Sequence, residues 1–167
     1  MLLTAGSLLI VRAAKAQSVP MTEVHIQRIR SNCIDAQSTL NQLHKSDGLL
    51  RVNRGQLYES ISTKLMAPLN SRITLNKLDG ATLVSVTATY ENQLEDFRLK
   101  YQSYEEAMSR TLKLNCQNQP VAFYDSVGET REKRKLVHDS TVVLQTTIQK
   151  YKDEFEVFAK TVQEKTQ

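Results

Sequence analysis

Tyr90–Thr111 reads YENQLEDFRLKYQSYEEAMSRT, and within it Tyr90, Leu94, Phe97, Tyr101, Tyr104, Met108 and Thr111 recur at steps of 4, 3, 4, 3, 4 and 3. A helix turns once per 3.6 residues, so this rhythm lays all seven side chains along one stripe. A stripe this narrow is the seam of a coiled-coil-like contact rather than the broad face of a helix on a globular core. The residues just upstream, Thr82-Leu83-Val84-Ser85-Val86-Thr87, are β-branched and lean locally toward strand. Because Leu83 and Val86 continue the stripe into Tyr90, the helical reading overrides that tendency, and the segment is expected to be one helix over about 81–114.

The same rhythm extends on both sides. Downstream of the turn Asn115-Cys116-Gln117-Asn118-Gln119-Pro120, the residues Val137, Thr141, Leu144, Ile148, Tyr151, Phe155, Phe158 and Val162 step by 4, 3, 4, 3, 4, 3 and 4. They predict a helix over about 121–164. Upstream of the helix stop Leu78-Asp79-Gly80, Ile26, Ile29, Cys33, Ala36, Leu40 and Leu43 carry a seam that runs on through Leu50, Leu57, Ile61, Leu65, Leu69 and Ile73. From Leu57 onward the steps are all 4, a departure from the heptad. Gly48 and Gly55 each weaken a helix by ~1 kcal/mol relative to Ala, and Pro68 kinks or restarts one. This first segment, about 22–78, is therefore expected to be one helix, or two meeting near Ser46-Asp47-Gly48 or near Pro68.

Three narrow seams joined by two short turns make the expected fold all-α: an elongated antiparallel three-helix coiled-coil-like bundle, four-helix if the first segment divides. Its plan is that of a spectrin-type repeat, in architecture only. Composition agrees. Five Gly and three Pro in 167 residues leave few turns, and with no Trp and 6% aromatic residues the core is slim and aliphatic.

The N-terminus predicts export. Met1–Val11 (MLLTAGSLLIV) is an apolar run too short for a standard transmembrane helix, and Ala14-Lys15-Ala16 is an A-x-A cleavage pattern. Residues 1–16 thus read as a signal peptide, leaving a domain over 17–167. No Lys or Arg precedes the apolar run, which points to a start further upstream. Two cysteines, Cys33 and Cys116, form the even set expected in an oxidising compartment. Cys33 lies 46 residues before Asp79 and Cys116 37 after it. Folding back at that turn brings them to the same end, about nine residues apart in register, or ~13 Å at the helical rise. A kink or break in the first segment can absorb that offset and let a bond close between them.

Other chemistry is sparse. The net charge is +4, and without Arg12 and Lys15 the remainder has 20 basic against 18 acidic residues. That is not the concentrated footprint of a nucleic-acid binder, and none is expected. Leu49–Gly55 (LLRVNRG) suggests a helix-turn-helix reader only faintly. His25, His44 and His138 fit no metal-ligand spacing. Glu91, Glu95, Glu105 and Glu106 read as carboxylates on a solvated helix face, because acid–base work needs two carboxyls across a cleft. Arg131, Lys133, Arg134 and Lys135 form a basic run able to meet an anionic surface, although such runs are more often solvated faces with i,i+4 pairs. No phosphate-binding, nucleophile-elbow or EF-hand pattern is present. Neither a cofactor nor a metal is expected.

The runs Leu49–Ile73 (LLRVNRGQLYESISTKLMAPLNSRI) and Gln119–Val127 (QPVAFYDSV) resemble an uncharacterised family of small exported helical proteins from candidate-phylum bacteria with reduced genomes. The resemblance implies export and helices and brings no activity. The reading that results is a non-enzymatic exported protein, secreted or at the cell envelope, acting as a structural or interaction module. Its contacts are expected through helix faces, to a protein partner or to itself through Val84, Val142 and Val143. The alternative is a membrane-tethered subunit of an envelope complex that keeps Met1–Val11 as part of an anchor.

Overall fold

The computed structural model describes residues 21–166, and the expected signal peptide lies outside them. The described chain is all-α. It comprises α1 (Glu23–Ser31), α2 (Cys33–Ser60), a π-helical stretch (Ile61–Met66), α3 (Ala67–Leu75), α4 (Ala81–Lys113) and α5 (Pro120–Thr166). Among the described residues no helix is long and apolar enough to cross a membrane.

Local chemistry sets the ends. Thr22 caps α1, its hydroxyl accepting from the His25 N–H, with Glu23 in the first turn complementing the helix dipole. Asn32 alone separates α1 from α2. Between α4 and α5, the Asn115 side-chain carbonyl accepts from the N–H groups of Gln117 and Asn118 in an Asx turn. Pro120 then opens α5, where its missing N–H costs nothing.

The first segment breaks at Asn32 and again where its rhythm changes, not at its glycines. α2 runs unbroken through Ser46-Asp47-Gly48 and Gly55, and the irregularity is the π stretch immediately before Ala67-Pro68. Proline offers no N–H to the carbonyl four residues back and crowds it, and a widened turn accommodates both effects. The register offset between the cysteines is spread along the first segment, with the largest share around the π stretch. From Asn70 back to Cys33 the first segment uses 37 residues, while α4 and its turn use 29 from Thr87 to Cys116. Half of that excess falls between the Asn70–Thr87 and Ser62–Glu91 hydrogen bonds, where eight residues of the first segment pass four of α4.

The core follows α4. All seven residues of its stripe are buried, as are Leu83, Val86, Thr87 and Ala107. One cluster joins Tyr58, Met66 and Ile73 of the first segment to Leu83–Phe97 of α4 and to Leu144 and Tyr151 of α5. A second surrounds the Cys33–Cys116 pair and Phe123, and a third holds Tyr101, Tyr104 and Met108 against Leu40, Leu43 and Val137. Two parts of the expected seams are corrected. Leu50, Leu57 and Leu65 point outward, 49%, 55% and 55% exposed, while Tyr58, Ser62 and Met66 turn inward. Steps of 4 drift round an α-helix, and the π stretch re-aims the side chains that follow. Phe155 is 39% exposed and lies outside the α5 core.

The cysteines are bonded, with Cα atoms 5.5 Å apart and 83 residues of sequence between them. This oxidised pair fits an oxidising, extracytoplasmic environment.

Candidate functional site

α2 and α5 both pack on α4 but do not approach each other closely along the backbone. Between them lies an open groove of about 580 Å³. Its floor is Phe97, Tyr101 and Tyr104 of α4. One wall carries Asp47, Leu50, Arg51 and Arg54 of α2. The other is the α5 face running from Arg131 to Gln145.

A single bridge crosses the groove at one end. Arg134 of α5 donates to both carboxylate oxygens of Asp47, at 2.6 and 3.0 Å, and the Tyr104 hydroxyl donates to the same carboxylate at 2.7 Å. Asp47 is only 7% exposed. Burial opposes its ionisation, but the Arg134 fork and the Tyr104 hydroxyl outweigh burial and hold its carboxyl below the ordinary value. The same bond to Asp47 raises the Arg134 guanidinium above its usual range. Burial, then the adjoining Asp47 carboxylate, pushes the Tyr104 hydroxyl up, so it stays a proton donor.

The floor rings Phe97, Tyr101 and Tyr104 continue a ladder that begins at Tyr58, with centroids 5.7, 6.5 and 5.9 Å apart from Tyr58 onward. The Arg51 guanidinium lies over Tyr101, 4.9 Å from the ring centroid. The Tyr101 hydroxyl donates to Glu105 at 2.5 Å, and Glu105 also meets His44 at 2.8 Å. Burial and Glu105 raise the Tyr101 hydroxyl. The lining therefore has five cations, Arg51, Arg54, Arg131, Arg134 and Lys135, against one carboxylate. That carboxylate is already committed to Arg134 and Tyr104.

The structure distributes the residues singled out in the sequence. Of the basic run, Arg131, Arg134 and Lys135 line the groove, whereas Lys133 does not. Arg134 is a cross-helix bridge, and Lys135 approaches Asp139 at 3.7 Å, one turn on. Only part of the run is therefore open to an anionic contact. Glu105 is half-buried against α2 instead of standing on a solvated face, while Glu91 accepts from Ser62 and Glu95 pairs with Arg98. His25 bonds Thr22 and His138 sits on the groove wall, well apart from His44. Among the described residues no group of His, Cys, Asp and Glu is arranged to hold a metal ion. Leu49–Gly55 is one continuous helix, so the helix-turn-helix reading falls.

Sequence reasoning passed over Asp47 and Arg54, yet both were legible. The first seam stepped from Leu43 to Leu50 and from Leu50 to Leu57 in sevens. Asp47 and Arg54 fill the skipped positions. A charge at a seam position must find a partner or leave the seam open. Asp47 does the first, and at Arg54 the seam opens into the groove.

Set against protein-family models, curated proteins and solved structures, the chain matches none of them.

Proposed function

We propose that this chain is a non-enzymatic exported protein that serves as a structural or protein-interaction module at the cell envelope or outside the cell. We read its architecture as an elongated antiparallel rod of three helical segments packed in coiled-coil fashion. The cross-segment pairs support this: Cys33–Cys116, Asp47–Tyr104, Ser62–Glu91 and Asn70–Thr87 run in opposite order along the two partners. The disulfide fits an exported chain.

The observation that carries the reading is the set of apolar side chains that the core does not use. Leu57 and Leu65 on the first segment, Val84 on α4, and Val142 and Val143 on α5 stand about half exposed. Helix faces of this kind meet a partner helix or a second copy. Light scattering on the oxidised protein over a range of concentrations tests the self-associating form. A mass above one chain that the Leu57→Lys/Leu65→Lys or Val142→Lys/Val143→Lys variant returns to one chain supports it. A single chain at every concentration overturns it. N-terminal sequencing of protein from its native cell tests export: a start at Gln17 agrees, and an intact Met1 overturns the cleaved form.

A further inference from the structure

We propose that the groove between α2 and α5 binds a small amphiphilic oxyanion, a single carboxylate or phosphate head on an extended apolar body. Its dimensions select the occupant. Along α5 the lining spans fourteen residues, from Arg131 to Gln145, or about 21 Å of helix. Its volume, about 580 Å³, falls among those of small-molecule sites, and its length suits one extended chain.

Chemistry sets the orientation. At one end Arg131 and Lys135 stand beside the Arg134–Asp47 bridge, and among the described residues Arg131 is engaged in no ion pair. An oxyanion there meets Arg131, and Lys135 once it turns from its 3.7 Å approach to Asp139, without competing for Asp47, whose oxygens are already taken. Toward the other end the lining carries Leu50, Phe97 and Val142 together with Thr141 and Gln145, and the Arg51 guanidinium is stacked on Tyr101. The head therefore sits at Arg131 and Lys135 and the body runs over Phe97.

Calorimetric titration of the oxidised full chain with decanoate and with decyl phosphate, both kept monomeric, tests this. The expected result is saturable 1:1 binding of at least one of them, weakened by salt, with the Phe97 and Tyr101 ring resonances shifting on titration. Arg131→Gln/Lys135→Gln and, separately, Val142→Asn each weaken it at least tenfold. All three positions are solvent-exposed, so the melting temperature serves as the check that the variants fold. Acetate, inorganic phosphate and decanol bind at least tenfold more weakly. The proposal is overturned by absence of saturable binding, by decanol binding equally well, or by folded variants that bind like the parent. Binding to anionic phospholipid vesicles without binding of the monomeric amphiphiles would also overturn it, assigning the cations to a membrane surface.

Discussion

Asp47 concentrates most of the risk in this molecule. A carboxylate at a seam position is tolerated because three hydrogen bonds from two other segments meet it. Asp47→Asn keeps the shape but loses the charge and mismatches the Arg134 fork. We expect a cost of roughly 1–3 kcal/mol at pH 7, read as a lower urea midpoint. The pH dependence has a definite sign. The folded carboxyl lies below its unfolded value near 3.8, so its contribution is complete above that value and is lost as pH falls through the folded one. The gap in stability between parent and Asp47→Asn therefore narrows as the pH drops below about 4. A gap that stayed constant from pH 7 to pH 3 would mean that the ionised carboxylate contributes nothing.

The turn from α3 to α4 shows how two neighbouring residues divide a task that sequence reading assigns to one. Gly80 looks like the flexible residue of the turn, but Lys77 holds the left-handed conformation, at φ 55°. The N–H groups of Lys77 and Leu78 return to the carbonyls of Thr74 and Ile73 in a Schellman closure. Gly80 is needed for close approach, since a Cβ there would come within 2.5 Å of Ile73 Cγ2. Thermal melts should consequently show Lys77→Gly gaining roughly 0.5–1 kcal/mol and Gly80→Ala losing roughly 1–3 kcal/mol. The reverse pattern would reassign the two roles. Within α2, a Cβ at Gly48 or Gly55 would meet nothing within 4 Å. Gly48→Ala and Gly55→Ala should each stabilise by about 0.5–1 kcal/mol, visible as a higher melting temperature. A destabilised double variant would show that α2 needs to flex there.

Across the molecule the disulfide is the covalent cross-link. It ties the start of α2 to the turn between α4 and α5 across 83 residues, worth up to about 4.5 kcal/mol in the chain-entropy account. Cys33→Ser/Cys116→Ser should lower the denaturation midpoint accordingly. Protease should then cut first near α1 and the start of α2, whose packing cluster centres on that bond. Cleavage that begins instead near the π stretch would place the weak point elsewhere.

The α4 stripe was the most legible feature, because an unbroken alternation of 3 and 4 leaves a helix one face to bury, and all seven of its residues are inside. The cysteine pairing was readable to within the slack in the first segment. What the linear pattern left open was how that slack is spent. A step of 4 is compatible with several helical windings, and here Tyr58 and Met66 turn inward, with a π turn before Pro68, while Leu57 and Leu65 stay outside. The groove was open to the same ambiguity. Asp47 and Arg54 mark a seam that cannot close with apolar contacts, yet which helix supplies Arg134 and which ring lies beneath Arg51 depend on the register of three segments. Periodicity along one chain fixes faces, because each face repeats locally. Partners across a gap depend on how the segments slide past one another, and that is set by the sum of contacts between them.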